Sequence, residues 1–189
     1  MKISESIKSK RTIRLYKQDK INYKILEDCV DSARLSSSAR NAQPLEYIIV
    51  DDEKILKKVL PYIAFGGFIS DDKKAKPGFE PTALIVILVK KGFEKYSAYD
   101  VGIAAQNISL VAFENKIGTC MMGVIDREKI KTELNVPDAF LVDLVITLGY
   151  PAEQPVAKET DDEPNYERKD NVFCVYKRKL TKILHRNRF

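Results

Sequence analysis

Lys10-Arg11-Thr12-Ile13-Arg14 packs three cations and a hydroxyl into five residues. In an extended chain alternate side chains share a face, so Lys10, Thr12 and Arg14 are expected to point together. Lysine and arginine donors beside a hydroxyl suit the acceptor oxygens of a phosphate, because charge-assisted hydrogen bonds are shorter and stronger than neutral ones. A second stretch, Ser37-Ser38-Ala39-Arg40-Asn41, is small and polar. Small residues let the backbone approach a flat ligand, and the amide of Asn41 carries both a donor and an acceptor. Taken singly, neither stretch separates a binding site from a solvated turn.

Several chemistries are excluded by what the chain lacks. Its one histidine, His185, sits in a basic tail, which leaves no constellation for a Ser-His-Asp hydrolase or a two-histidine metal site. No glycine-rich nucleotide loop and no nucleophile elbow is present. The three cysteines have neither disulfide nor zinc spacing. Cys29 falls on an apolar helix face, and Cys120 and Cys174 fall in strands, so all three are assigned to the core. No metal site and no essential acid–base side chain is expected.

The elements that must position these residues follow from composition and periodicity. A chain of 189 residues with 44% hydrophobic and 31% charged residues predicts one globular domain over 1–189. The longest apolar run, Ala83 to Val89, is far short of a membrane span, and the first residues lack an apolar signal core, so a cytoplasmic protein is expected. The net charge is +5, with +5 in residues 1–20, +6 in 177–189 and −6 between them. If the basic ends converge they form a local anion site; otherwise they are two solvated termini. No reading motif or basic stripe points to nucleic acid.

Helical spacing predicts helices over Ile3–Lys10, Ile21–Leu35, Asp52–Leu60 and Tyr96–Glu114, and another after an Asp126 N-cap. The Tyr96–Glu114 pattern suits a helix buried nearly all round. Strands are expected at Glu46–Val50, Thr82–Val89, Thr119–Ile125, Val142–Leu148 and Val172–Tyr176, with Thr82–Val89 buried on both faces. Residues 61–81 read as a loop, either a cover over the active site or a plain disordered excursion, and Ala152–Asn171 as an irregular acidic connection broken by Pro155 and Pro164. The class is α+β, helices wrapped on a mixed sheet.

The order of these blocks resembles the FMN-dependent nitroreductase family. It begins with Arg11-Thr12-Ile13-Arg14, a helix, Ser37 to Pro44 and a strand. It continues through Asp100-Val101-Gly102-Ile103-Ala104-Ala105-Gln106-Asn107, Ile117 to Gly123 and Leu148-Gly149-Tyr150-Pro151, and closes at Tyr176-Lys177-Arg178. The resemblance implies a mixed central sheet flanked by helices and completed by homodimerisation, with the long helix at the interface. It also implies that Lys10, Thr12 and Arg14, with backbone near Arg11, hold the FMN phosphate and ribityl chain, joined by Lys177 and Arg178. Ser37, Ser38, Ala39 and Asn41 then face the flavin ring from the partner subunit. Met122 and Gly123 lie beside the ring, offering a backbone N–H. Phe65 and Phe68 of the cover loop are candidates for stacking on substrate. The sequence departs from the usual pattern at Lys10, where arginine is common, and at Leu45, Met121 and Val124.

The implied activity is a ping-pong reaction in which NADH or NADPH delivers a hydride to FMN and a small electron-poor acceptor, a nitroaromatic or a quinone, then takes the electrons. Two alternatives stay open: another flavin chemistry on the same fold (dehalogenation, dehydrogenation or flavin breakdown), and a non-enzymatic FMN carrier or anion-binding module.

Overall fold

The computed structural model describes residues 2–65, 76–169 and 172–189. By its internal contacts the chain divides into two compact units, Met1–Ala152 and Glu153–Phe189, where length alone predicted one domain.

The first unit is built on an antiparallel sheet of β1 (Leu45–Val50), β2 (Ala83–Lys90), β3 (Gly118–Met122) and β4 (Phe140–Gly149), in the order β1-β2-β4-β3. Residues alternate across a strand, so the unbroken apolar run of β2 serves two cores at once. Ala83, Ile85, Ile87 and Val89 pack on one face with Leu26, Cys29 and Ala33 of α2 (Tyr23–Arg34) and Ala104, Ala105 and Ile108 of α4 (Glu94–Glu114). Leu84, Val86 and Leu88 pack on the other with Leu56 and Val59 of α3 (Glu53–Val59) and Ile130 of α5 (Arg127–Glu133). A strand that is central and covered on both sides has no polar face to show, hence the absence of alternation.

Short polar caps start the helices. Asn22 Oδ1 accepts from the Lys24 N–H, Asp52 Oδ1 from those of Lys54 and Ile55, and Asp126 Oδ1 from that of Lys129, satisfying donors that have no partner in a first helical turn. Helix α1 (Ile3–Ser9) precedes the cationic segment and has no buried residue. Helix α4 is not buried all round: Tyr99, Gly102, Ile103 and Gln106 form an exposed stripe on it.

The second unit is a three-stranded sheet of β5 (Val156–Thr160), β6 (Tyr166–Lys169) and β7 (Val172–Arg178), ordered β5-β7-β6, with β5 parallel and β6 antiparallel to β7. The region expected to be irregular therefore holds two strands. Pro155 precedes the first and Pro164 separates the two, so the prolines mark strand ends, where a missing N–H costs no ladder bond. Both pairing directions occur among the described strands, but the parallel pair lies in this smaller sheet, and the central sheet is antiparallel where a mixed one was expected.

Candidate active site

A segment running from Lys10 to Lys17 is fastened across one end of the large sheet. Thr12 bridges Thr119 in parallel, Tyr16 bridges Pro151, and the Ile13 N–H donates to the Thr119 carbonyl at 3.0 Å. Two glycines make the seat. Gly118 and Gly149 are direct partners across β3 and β4. A Cβ on Gly118 would stand 2.7 Å from Ile13 side-chain atoms, and one on Gly149 would stand 2.7 Å from the Tyr16 ring. Neither atom could exist there without moving the segment. Tyr16 is wholly buried, and its hydroxyl meets the Ile13 carbonyl at 2.6 Å and Thr147 Oγ1 at 2.7 Å.

With Ile13 and Tyr16 turned into the protein, Lys10, Thr12 and Arg14 are left half-buried at alternate positions. Burial pushes the Lys10 ammonium below the ordinary lysine value; Cys120 opposes that shift and the neighbouring Arg11 charge adds to it. The Arg11 side chain does not join this face. Its Nη1 donates to the Lys10 carbonyl at 2.5 Å and its Nη2 to the Lys8 carbonyl at 2.6 Å, which caps the C-terminal end of α1, while its Nε is buried without a hydrogen-bond partner.

The Ser-rich stretch is strapped to α4. Asp100, only 4% exposed, accepts from Ser38 Oγ at 2.7 Å through Oδ2 and from the Ala39 N–H at 3.1 Å through Oδ1. Ser38 Oγ accepts in turn from the Gln43 N–H at 3.0 Å, and Asn107 Nδ2 donates to Ser36 Oγ at 2.9 Å. The loop needs such restraint, because Arg40, Asn41 and Gln43 all have positive φ, of 57°, 53° and 47°. A non-glycine side chain in this region costs on the order of 1 kcal/mol or more per residue. Tyr47 packs near the same acid; burial first, and the Asp100 charge second, push its phenol up to about 12.

The remaining expected residues fall as follows. Met122 turns its side chain into the α3/α5 core, so it can offer only backbone to a ligand, whereas Gly123 faces open space with nothing within 4 Å of a built Cβ. Phe65 is a correction: it is 4% exposed and packed with Val59 and Ile63, so its ring is core and presents no stacking face. Phe68 lies outside the described residues. The expected cover loop begins as ordered chain, with a 3₁₀ turn at Leu60–Tyr62, an Ile63 bridge to Ile125 and an Ala64 N–H donating to Val124. Lys177 and Arg178 end β7 in the second unit, where the Arg178 guanidinium donates to the Lys182 carbonyl at 3.2 Å. Asp100 is the residue that sequence reasoning missed. Its signal was present, since it is the one charged side chain between Lys95 and Glu114 of the long helix.

A cleft of about 1540 Å³ opens elsewhere, beside Tyr62, Val124 and Ile125. Asp51, Asp52, Glu53, Glu80 and Asp126 outnumber Lys20, Lys57 and Lys129 on its walls, which makes it a poor place for a phosphate. Among the described residues no cluster suits a metal ion, and no helix is long and apolar enough to cross a membrane.

An antiparallel sheet between two helical layers, with a cationic segment seated at its end and a polar loop strapped to its longest helix, is an α+β architecture. The chain belongs to the nitroreductase family, whose model matches residues 7–150. A protein of Archaeoglobus fulgidus, provisionally named NADH dehydrogenase/NAD(P)H nitroreductase, is 31% identical over 170 residues, covering 86% of this chain and 92% of its own. The solved structure of an FMN-dependent nitroreductase from Clostridium difficile R20291 matches with a TM-score of 0.70 at 27% identity, covering 97% of this chain and 98% of that one. An iodotyrosine deiodinase of Thermotoga neapolitana is 24% identical over 183 residues, covering 87% of this chain and 92% of its own.

Proposed function

We propose that the protein is an FMN-dependent, NAD(P)H-consuming reductase of small electron-poor acceptors, nitroaromatics or quinones, working as a homodimer by a ping-pong mechanism. The observation that carries this reading is the seated segment. Lys10, Thr12 and Arg14 are held half-buried on one side of a chain that Ile13 and Tyr16 anchor. Half-buried lysine and arginine donors beside a hydroxyl suit a phosphate, which supplies both the charge and the acceptors. Further support comes from the open space at Gly123, four residues along from the Thr119 that pairs with Thr12. At about 3.3 Å per residue, that spacing is on the scale of a phosphorylated sugar-alcohol chain with a flat ring beyond it.

The residues present therefore fit FMN. Lys10, Thr12 and Arg14 bind its phosphate end. Gly123 and the Met122 backbone stand at the ring, and Ser37, Ser38, Ala39 and Asn41 reach the ring of the partner subunit. FMN when bound supplies the hydride chemistry, which this chain has no side-chain constellation to perform alone. The chain's own contributions are to orient the ring and to place positive charge and donors where negative charge collects. The exposed stripe of Tyr99, Gly102, Ile103 and Gln106 on α4 offers a face for a second copy, with Gly102 allowing close approach.

The test is an absorbance scan of the purified protein, before and after anaerobic NADH or NADPH. Flavin bands that bleach are expected, with a sedimentation mass twice that of the chain. Bands that persist point to a carrier, and bands that bleach without turnover of nitroaromatics or quinones point to dehalogenation or another flavin chemistry. Arg14→Glu places a like charge against the phosphate, and flavin is expected to be lost on desalting. Unchanged flavin content in that variant overturns the phosphate assignment.

A further inference from the structure

We propose that Asp100 is a positioning residue for the flavin ring: its buried carboxylate sets the shape of the Ser36–Gln43 loop, and through it the donor that Asn41 presents. The inference rests on the reading above, in which this loop faces the ring of the partner subunit.

An ionised carboxylate only accepts, and Asp100 spends one oxygen on a hydroxyl and the other on a backbone N–H of the same loop. The Ser38 hydroxyl, committed as donor to Asp100, keeps its lone pair for the Gln43 N–H at 3.0 Å, which closes the loop on itself. Asn107 stands seven residues further along α4, on the same helical face, and holds Ser36 at 2.9 Å. Beyond these two tethers, from Ser38 to its closing bond with the Gln43 N–H, the backbone has no regular ladder, only the short turns from Asn41 N to Ser38 O and from Ala42 N to Ala39 O. Three left-handed non-glycine residues persist there because the anchors over-determine the path. The product of this geometry is the orientation of Asn41. Its Oδ1 accepts from Gln43 Nε2 at 3.1 Å with one of its two lone pairs, which leaves both amide N–H donors for a ligand. A donor at the rim of a flavin favours the state carrying more negative charge, which ties the potential of the bound cofactor to the chain Asp100–Ser38–Gln43–Asn41. Asp100 also lies on the helix that carries the exposed Tyr99, Gly102 and Ile103 stripe, so one element holds both the loop and the face offered to a second copy.

The experiment measures FMN affinity, the midpoint potential of bound flavin and the thermal midpoint of the flavin-free protein for the wild type, Asp100→Asn, Ser38→Ala, the double variant and Asn41→Ala. Loss of a charge-assisted bond predicts that Asp100→Asn weakens FMN binding about tenfold or more. It should also shift the potential in the direction that Asn41→Ala shifts it. Ser38→Ala should do the same, with the double variant no worse than the larger single effect, since both break one chain of bonds. If Asn41→Ala shifts the potential while Asp100→Asn and Ser38→Ala leave it unmoved, the positioning role is wrong and the ring contact stands. If FMN binds but none of the three moves its potential, the loop does not face the ring and both readings fall. Should Asp100→Asn not fold, Ser38→Ala cuts the same bond from the loop side and decides alone. A fall in thermal midpoint with no change in potential overturns the proposal, because it marks a purely structural role.

Discussion

The two segments that bring polar groups to the site are held in opposite ways. The Lys10–Lys17 segment is held by shape: Ile13 and Tyr16 fill the two gaps left by the paired glycines. The Ser36–Gln43 loop is held by polarity: no residue from Leu35 to Ala42 is buried, and Asp100 and Asn107 fasten it from the helix. Shape complementarity tolerates a change of charge but not of volume, whereas a hydrogen-bonded strap tolerates volume but not loss of a partner. The segment is thus free to carry binding charges without destabilising its own seat, and the loop can change its polar offering only by changing its anchors.

That contrast can be broken at Gly149. Gly149→Ala, or Gly118→Ala, overpacks the seat and is expected to destabilise the protein by about 1–3 kcal/mol and to weaken flavin retention with it. Chemical denaturation with and without FMN checks this, and a neutral result at both glycines would mean that the segment is not clamped by volume. Tyr16→Phe keeps the shape and removes the hydroxyl that serves the Ile13 carbonyl and Thr147. It should cost about 1 kcal/mol, read by the same denaturation, with flavin affinity nearly intact. Asn41→Ala, in the exposed loop, should leave stability within about 0.5 kcal/mol while moving the flavin potential. An equal loss of stability and potential would erase the distinction between the two regions.

The smallest effect is a pH dependence at Lys10. Its folded pKa is lowered mainly by burial, so the cost of holding the ammonium charged is fully present below that lowered value. The cost is relieved as pH rises toward the ordinary lysine value, and stability of the flavin-free protein should therefore rise slightly across that window. A phosphate restores the charged form, so FMN affinity should fall over the same window. Lys10→Met should flatten both curves, and a profile unchanged by that variant would detach Lys10 from the phosphate.

Much of the frame was legible because one-dimensional pattern and three-dimensional role coincide there. The β2 run reads as doubly buried and is, and Asp126 reads as an N-cap and is. The pattern failed where strands are not amphipathic. Val156–Glu159 of β5 is exposed throughout, so neither apolar alternation nor an apolar run announced it. At the site, the alternation Lys10, Thr12, Arg14 was readable because it follows from extended backbone alone. The fold-back of Arg11 onto the end of α1 was not, since it depends on carbonyls that only the finished helix presents. Phe65 looked like a loop aromatic because glycines follow it, yet its partners Val59 and Ile63 precede it. Asp100 needed the opposite inference, from a lone acid in an otherwise uncharged helical stretch to a distant loop that requires an acceptor.

The glycine seat also bears on when the site comes into being. Tyr16 meets Thr147 across 131 residues of chain, and its neighbour Ile13 rests on Gly118. Contacts of such sequence separation carry a heavy loop-closure entropy and form only after the strands that offer them have paired. We expect the cationic segment to dock late in folding and to detach early in unfolding. FMN binding would then slow the unfolding limb of the chevron and leave the folding limb almost untouched.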